Sequence, residues 1–418
     1  MNLTPKGGGL ILERIVIHTI ERSVVFLPMP KDRGFLRHIE VILLSKLDDA
    51  IKKLNKNHGQ EIITTDKDAV AFEVKDRVPF PTPALTYLFS GGMPTETLWE
   101  ISGNFSSGKS SICEAIAGEF QRYYKAKWES RVAELESIDK PTKAEATELA
   151  TLKEEGHKRV LWLDAEQSMK DISWVRKNKL DPDDIVYIRP DEQSAEELLD
   201  DVIKLVETGG VCLVVIDSLA SLTSASALKK DLTEKTYCGI SGPLTTFTSK
   251  ILPLLTAKGC TCICINQERD VLNAMFPTTN TPGGRAFKFG CHVRLSFRKG
   301  KGLDEKLSEI PNNSESFYGQ LAEVSVIKNK ATPPKNRLAK FTITYDNGVF
   351  GENDTVNLAI ALNIINQSGA WFSYVDENGE VGANNLKWQG KPNVLSYVLE
   401  HKDFYNELKR RVEEQIIP

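Results

Sequence analysis

The sequence predicts an α/β fold with a mostly parallel central sheet, and three observations support this prediction. Short apolar runs at residues 160–163, 211–216 and 261–265 each end in a polar residue. Stretches of helical periodicity separate these runs, so strands and helices alternate as in βαβ units. A glycine-rich loop precedes them, between a predicted strand at residues 98–102 and a helix at residues 111–124. Functional side chains gather at the carboxyl ends of such strands, which is where we expect a site.

Two segments precede the predicted sheet. Residues 1–34 are an N-terminal extension to which we assign no role. Charged side chains interrupt its apolar stretch at residues 10–28, so no membrane-spanning segment is expected. Residues 35–78 are predicted to form a helix and then a short strand near residues 71–74. The helix is indicated by apolar residues at helical spacing: Leu43, Leu47, Ile51 and Leu54.

Residues 79–345 form the predicted core domain, and a charged insertion interrupts it. From residue 125 to residue 158 the composition is rich in lysine, glutamate and alanine, and Thr142 with Glu145 makes a capping-box pattern. We interpret the insertion as a solvated helical hairpin between two strands, with a partner-binding arm as the alternative. Residues 346–418 are predicted to form a small, mostly helical α+β C-terminal domain.

A phosphate-binding loop is the strongest functional motif. The pattern G-x-x-x-x-G-K-S stands between a strand and a helix. Its residues, with the one that follows, are Gly103, Asn104, Phe105, Ser106, Ser107, Gly108, Lys109, Ser110 and Ser111. The glycines let backbone N–H groups point at phosphate oxygens, and the helix N-terminus adds a favourable dipole. Lys109 places a positive charge on the β/γ-phosphates and the Ser110 hydroxyl suits Mg²⁺, so we predict binding and hydrolysis of ATP.

Polar residues at predicted strand ends are candidates for the chemistry. Asp217 ends a wholly apolar run, where a carboxylate can hold Mg²⁺ through water; a helix cap is the alternative. Glu166 follows another strand end and is the candidate that orients the attacking water, the alternative being a surface residue capping the next helix. Gln267, at a third strand end, can hydrogen-bond the γ-phosphate through its amide.

Composition excludes a globally basic nucleic-acid-binding protein. The 418 residues carry a net charge of −4, so any site for a polyanion must be a local patch. Residues 285–340 form such a patch, with twelve Lys/Arg against five Asp/Glu. A solvated surface can produce the same count, so the patch alone leaves both interpretations open.

The cysteines point to a reducing, cytoplasmic setting. There are seven, an odd number without framework spacing, and the sequence shows no secretory signal. Cys260, Cys262 and Cys264 lie at alternate positions. We interpret them as one face of a buried strand rather than a metal site, because zinc-binding cysteines usually have roughly two to four residues between them.

Several further segments accompany the phosphate loop between residues 85 and 374. They are residues 91–94, 163–166, 215–218, 266–267, 281–289, 293–295, 328–330 and 368–374. A phosphate loop alone is generic, but with these segments in the family's order the stretch resembles the bacterial RecA-type strand-exchange recombinases, in a divergent form similar to phage-borne members. The resemblance implies a RecA-type ATPase core, an N-terminal helix–strand polymerisation segment and a small C-terminal domain.

The resemblance also implies an activity. The chain would form a helical filament of its own copies on single-stranded DNA, with ATP between neighbouring subunits, and would pair that strand with homologous double-stranded DNA. Glu166 would activate water, and Gln267 would couple the γ-phosphate to the DNA loop that follows it. Lys328 and Lys330 would reach the neighbour's ATP as trans cations. Trp174 would stack on adenine, with a core position as the alternative.

Two DNA-binding loops are implied as well. In the second, at residues 268–285, the residues expected to contact DNA are Arg269, Met275, Phe276, Gly283, Gly284 and Arg285. The first, at residues 225–241, carries Lys229 and Lys230 where the family has an acidic, glycine-containing pattern. Apolar side chains beside cations suit a single strand with exposed bases. Phe105 is a further departure, since bacterial members have a glutamate there.

Two other functions compete with this hypothesis. One is a different RecA-fold DNA motor, such as a ring helicase, and the other is a DNA-binding filament scaffold with little turnover. The glycine-closed loop after Gln267 and the segment at residues 328–330 favour the recombinase over the motor. Glu166 and Lys109 favour an active ATPase over the scaffold.

Overall fold

The structure is a computed structural model that describes residues 14–18, 24–28, 47–57, 76–230, 239–270, 279–311, 314–332 and 336–417. The chain divides into two compact units, Met1–Glu73 and Val74–Pro418. Each unit is described by itself.

The first unit contains a β-hairpin and a helix. Strands β1 (Arg14–His18) and β2 (Val24–Pro28) pair antiparallel, and helix α1 covers residues 47–57. The helix predicted from the apolar spacing is confirmed over these residues. The hairpin was not predicted, and the strand predicted near residues 71–74 lies outside the described part of the chain.

The second unit carries the remaining described elements. Its strands are β3 (Arg77–Val78), β4 (Met93–Pro94), β5 (Leu98–Gly103), β6 (Arg159–Asp164), β7 (Ile185–Ile188), β8 (Val211–Asp217), β9 (Thr261–Gln267), β10 (Arg269–Asp270), β11 (Thr279–Asn280), β12 (Val293–Leu303), β13 (Glu309–Ile310), β14 (Gly319–Asn329), β15 (Leu338–Thr344), β16 (Gly348–Val349), β17 (Ile365–Ser368), β18 (Trp371–Tyr374) and β19 (Lys387–Gln389). Its helices are α2 (Pro83–Phe89), α3 (Lys109–Glu136), α4 (Lys143–Glu155), α5 (Ile172–Lys177), α6 (Ala195–Glu207), α7 (Ala225–Leu228), α8 (Ser241–Lys258), α9 (Gly284–Gly290), α10 (Gly351–Ala361), α11 (Lys391–Glu400) and α12 (Lys402–Ile416). Within the described ranges, no helix is both long and apolar enough to cross a membrane.

A ten-stranded sheet forms the centre of this unit. Its order is β16-β15-β14-β12-β5-β9-β8-β6-β7, with β13 beside β12. The six strands from β12 to β7 run parallel, whereas β13 to β16 pair antiparallel. Strands β5 and β8 are buried throughout, and so is β9 except at its last residue, because helices cover both faces of the sheet. The predicted α/β class with a mostly parallel sheet is confirmed.

Successive strand residues point to opposite faces and build two core clusters. On β6, Trp162 joins the first core cluster, beside α3, whereas Leu161 joins the second, beside α6 and α8. Cys262 and Cys264 on β9 belong to the second cluster and are fully buried. The interpretation of this cysteine run as part of a buried strand is therefore confirmed, and all six described cysteines are buried free thiols.

The charged insertion is a helical hairpin whose first arm continues the helix after the phosphate loop. The helix predicted to end at residue 124 runs on to Glu136 as α3, so that boundary was wrong. The second arm, α4, starts with the predicted capping box of Thr142 and Glu145 and buries none of its residues. Arg131 joins the two arms by a bidentate pair with Glu148, at 2.8 and 2.9 Å. The hairpin is solvated, as predicted.

The C-terminal segment has its own core but is hydrogen-bonded to the sheet domain. Helices α10, α11 and α12 and the antiparallel sheet β17–β18–β19 enclose a separate apolar cluster. Asp354, in the first turn of α10, is buried and accepts hydrogen bonds from Thr82 Oγ1 at 3.1 Å and Thr342 N at 3.0 Å. Helix α12 also packs on α2. The segment predicted from residue 346 onward thus packs within the same compact unit.

Glu114 is a buried carboxyl group on α3 that the sequence patterns do not explain. Its side chain is 5% exposed, and Asn178 Nδ2 donates a hydrogen bond to its Oε2 at 2.6 Å. Burial raises the pKa of Glu114 to about 7 against the opposing hydrogen bond, and the carboxylates of Asp217 and Asp164 add to the increase.

Replacing Glu114 with glutamine is expected to raise the free energy of unfolding near pH 8 by about 2 kcal/mol, and to change it little at about pH 5. Because the folded-state pKa is raised, the protonated group stabilises the wild type at low pH. That contribution is lost as the pH rises through about 7. Urea unfolding across this range would measure the difference, with exposed Glu155→Gln as control. A difference that stayed constant with pH would contradict the assignment.

Candidate nucleotide and nucleic-acid site

The phosphate loop connects β5 to α3 and requires glycine at both ends. Gly103 has a φ of 154°, and a Cβ there would lie 2.3 Å from the Phe297 carbonyl oxygen. Gly108 has a φ of 89°, and a Cβ there would lie 2.5 Å from Ile343 Cδ1. Only glycine fits these positions without displacing a neighbour, so the backbone forms a tight cradle at the start of α3.

The cradle has the donors that phosphates need. No side chain caps the N-terminus of α3 at Gly108, so the first backbone N–H groups of the helix face the loop. Lys109 Nζ donates to the Asn104 carbonyl oxygen at 2.6 Å, which places the ammonium group across the loop. Burial lowers the pKa of Lys109, and the carboxylates of Asp217 and Glu166 oppose that shift. The ring of Phe105 is 90% exposed at the tip of the loop.

Ser110 and Asp217 form a pair suited to a divalent cation. Ser110 Oγ donates to Asp217 Oδ2 at 2.8 Å. Asp217 is 2% exposed at the end of β8, and burial raises its pKa to about 7, with Glu166 and Asp164 adding to the increase and the Ser110 hydrogen bond opposing it. A hydroxyl and a buried carboxylate are hard oxygen ligands, and a nearby dication would offset the cost of burying the charge. These residues therefore fit Mg²⁺.

Glu166 receives three hydrogen bonds on one carboxylate oxygen. Its Oε1 accepts from Ser218 Oγ at 2.5 Å, Gln267 Nε2 at 3.0 Å and Ser221 Oγ at 3.3 Å. In the part of the chain that the structure describes, these side-chain hydrogen bonds all end on Oε1 and none ends on Oε2. The structure thus brings Glu166 and Gln267 together, as their strand-end positions suggested. Sequence reasoning missed both serines, and nothing in their local sequence indicates that they meet Glu166.

Asp164 and Tyr187 hold the segment that carries Glu166. Asp164 is 1% exposed and accepts from the backbone N–H groups of Ser168 at 3.0 Å and Met169 at 3.1 Å. The Tyr187 hydroxyl, on the adjacent strand β7, donates to Asp164 Oδ2. Glu166 N also donates to the Asp217 carbonyl oxygen at 3.1 Å. Asp164 therefore positions this segment, a role that the sequence did not predict.

The residues predicted to contact DNA lie partly in the described chain. Lys229 and Lys230 are exposed directly after α7, and Arg269 is exposed on β10. Gly283 caps the N-terminus of α9 with a φ of 108°, followed by exposed Gly284 and Arg285. Strands β10 and β11 pair across the base of the loop between them. Met275 and Phe276 lie outside the described residues.

The two predicted trans lysines lie away from the phosphate loop of their own chain. Lys328 is in register with Arg294, which is in register with Glu100. Glu100 precedes Gly103 by three residues, or about 10 Å along the strand. Lys328 Nζ donates to the carbonyl oxygens of Lys288 at 2.9 Å and Phe289 at 2.8 Å, at the end of α9.

Trp174 lies on α5 and is partly buried against the first core cluster. Asp171 caps this helix and accepts hydrogen bonds from Ser173 N at 2.8 Å and Trp174 N at 3.3 Å. Part of the Trp174 side chain therefore packs on the core and part is accessible, so its stacking on adenine stays a prediction.

The fold and this arrangement define a nucleotide-binding α/β protein of the phosphate-loop class. Residues 129–350 match the family model of the RecA N-terminal domain, and residues 353–417 match that of the RecA C-terminal domain. The first match covers more than half of the chain, and the chain belongs to the RecA family.

The chain is also similar, at moderate identity, to curated RecA proteins. The chain is 30% identical over 256 residues to Protein RecA of Rickettsia canadensis (strain McKiel), covering 61% of this chain and 68% of that protein. It is 27% identical over 373 residues to Protein RecA of Staphylococcus carnosus (strain TM300), covering 88% and 90%, and 28% identical over 370 residues to that of Staphylococcus aureus (strain Newman), covering 88% and 87%. Each Staphylococcus protein matches 88% of this chain. The part left unmatched at either end is too short to reach residues 103–110, so both matches span the phosphate loop.

Proposed function

We propose that this chain is an ATP-dependent homologous recombination protein. It forms a filament on single-stranded DNA, hydrolyses ATP and promotes pairing and strand exchange with homologous double-stranded DNA. The observation that carries the proposal is the position of Gln267. Its amide contacts the candidate base Glu166, and its backbone leads directly into the loop at residues 268–285. Gln267 therefore contacts Glu166 through its side chain and is joined to the start of the candidate DNA loop through its backbone. Control of DNA binding by the nucleotide requires such a connection between the two sites.

ATP would be held by the cradle of the phosphate loop. The first N–H groups of α3 and the Lys109 ammonium group would bind the phosphates, Ser110 would ligate Mg²⁺, and Asp217 would hold it through water. Mg²⁺ bound there would neutralise the charge that develops on the phosphates. The exposed part of Trp174 would stack on the adenine. The basic stretch at residues 285–340 would attract the DNA backbone.

Glu166 would act as the general base. The donors gathered on Oε1 hold the carboxylate in one orientation and leave Oε2 to accept a proton from the attacking water. A γ-phosphate would compete with Glu166 for the Gln267 amide. Nucleotide state would therefore change the hydrogen bonds at the start of the candidate DNA loop.

Assembly of neighbouring copies would complete the site. The side chain of Lys328 caps α9 at the end of the sheet remote from its own phosphate loop, and Lys330 lies beyond it. In a head-to-tail assembly, the neighbouring copy can instead present its Lys328 and Lys330 to this chain's ATP. Repetition of such a heterologous contact generates a filament. The trans cations would stabilise charge in the transition state.

Lys330→Ala is expected to lower DNA-stimulated turnover by roughly 100-fold or more, because a trans cation is lost, while ATP affinity at low protein concentration changes little. Steady-state phosphate release and binding of a fluorescent ATP analogue would measure the two effects. Exposed Lys143→Ala is the control.

Mixing chains tests whether the lysine acts in trans. A 1:1 mixture of Lys330→Ala and Glu166→Ala chains pairs an intact Glu166 with an intact neighbouring Lys330 at about one quarter of random interfaces. Turnover should therefore reappear in the mixture. A mixture as inactive as either variant alone would contradict the trans role.

A joint-molecule assay with homologous single and double strands tests the proposed function. Products that require ATP and homology are the expected result, together with helical filaments by electron microscopy. Closed rings on single strands would favour a ring motor instead. ATP turnover unchanged by single-stranded DNA would favour a scaffold.

A further inference from the structure

Glu268 joins three separate segments of the chain through one carboxylate. Its Oε1 accepts hydrogen bonds from Ser102 Oγ at 2.9 Å and Ser296 Oγ at 2.6 Å. Its Oε2 accepts from Thr279 Oγ1 at 3.3 Å. Hydrogen bonds to a charged acceptor are stronger than those between neutral groups. The half-buried Glu268 carboxylate therefore connects the three segments tightly, and this set of hydrogen bonds is called the Glu268 junction below.

Two of these partners belong to the strands beneath the phosphate loop. Ser102 precedes Gly103 on β5, and Ser296 on β12 is in register with Ser102. Glu268 N also donates to the Gly103 carbonyl oxygen at 3.4 Å. A shift of the backbone at the start of the phosphate loop would therefore act directly on Glu268.

The third partner lies on the far side of the candidate DNA loop. Thr279 is in β11, in register with Asp270 of β10, so the two short strands close the base of the loop. Through Thr279, the Glu268 carboxylate links the returning strand of the loop to β5 and β12.

A second link lies on the other side of Gln267. Asn266 Nδ2 donates to Glu100 Oε1 at 2.8 Å and to the Pro282 carbonyl oxygen at 2.9 Å. Glu100 is fully buried and pairs with Arg294 Nε at 2.5 Å. Both neighbours of Gln267 are thus tied to β5 and to the end of the same loop.

We propose that Glu268 is a positioning residue that transmits the state of the phosphate loop to the DNA loop, and so sets how strongly DNA stimulates ATP hydrolysis. This inference rests on the proposed function and adds a route to it. The carboxylate can accept from the strand side and the loop side at once, because it has two charged oxygens. An amide has one acceptor oxygen, so glutamine would keep only part of the junction. Coupling between sites of this kind commonly amounts to roughly 5- to 150-fold.

The test compares turnover with and without single-stranded DNA. Glu268→Ala is expected to lower the ratio of the two rates by about tenfold, and Glu268→Gln by less. Thr279→Val, which keeps the side-chain shape but removes the loop-side donor, should also lower the ratio. Exposed Glu305→Ala is the matched control and should keep the wild-type ratio. Thermal unfolding of each variant monitors folding.

Two results would overturn the inference. Glu268→Ala could keep the wild-type ratio, whether its two rates stay unchanged or fall in equal proportion as in a destabilised protein, or Thr279→Val could keep the full ratio. If Glu268→Ala does not fold, Thr279→Val carries the test alone. Absence of DNA stimulation in the wild type would instead count against the proposed function, so the two failures are distinguishable.

Discussion

Replacing Lys109 with alanine is expected to abolish ATP hydrolysis, with a loss of at least about a thousandfold. The ammonium group lies across the phosphate cradle, hydrogen-bonded to the Asn104 carbonyl oxygen at 2.6 Å, where it would meet charge developing on the β/γ-phosphates. Its loss should also weaken ATP binding, because the same charge acts on the bound substrate. Phosphate release with and without single-stranded DNA, and binding of a fluorescent ATP analogue, would measure both effects.

Lys109→Arg is the informative control for this substitution. It keeps the positive charge but replaces a compact ammonium group with a planar fork that does not fit the glycine-lined cradle in the same way. Turnover should remain far below that of the wild type, while ATP affinity should recover in part. Hydrolysis by Lys109→Ala within tenfold of the wild-type rate would show that the phosphates bind elsewhere.

Replacing Glu166 with alanine is expected to remove turnover while sparing nucleotide binding. A general base contributes roughly 10²- to 10⁴-fold to a rate. The side chain of Glu166 is exposed and lies beside the phosphate cradle rather than within it, so it is not needed to hold the nucleotide. ATP should therefore bind with near-normal affinity and stay bound, so filaments on DNA should outlast those of the wild type. Single-turnover hydrolysis and filament lifetime after dilution would measure these effects.

Glu166→Gln sharpens the same experiment. Glutamine preserves the shape, and its carbonyl oxygen can still accept hydrogen bonds from Ser218 and Gln267, but it cannot take a proton from water. Both variants should be equally inactive if proton transfer is the function of Glu166. Substantial turnover in either one would assign the base to another group.

Much of the candidate site was predictable because its signals are local. Glycine spacing specifies a backbone that only glycine can adopt, as the crowding at Gly103 and Gly108 shows. Apolar runs that end in a polar residue mark buried parallel strands, so Asp217 and Gln267 were assigned to strand ends correctly. The roles of the trans lysines and of the DNA-contacting residues stay predictions, since they depend on neighbouring copies and on DNA.

The sequence by itself therefore determined the α/β class, the phosphate cradle and the family resemblance. Only the tertiary structure decided which distant side chains meet. Ser218 and Ser221 reach Glu166 across 52 and 55 residues, Tyr187 reaches Asp164 on the next strand, and Glu268 reaches Ser102 across 166 residues. Such contacts depend on strand order and on register, in which a shift of one residue turns a side chain to the opposite face of the sheet. Periodicity describes each element separately, whereas long-range packing sets the register between elements.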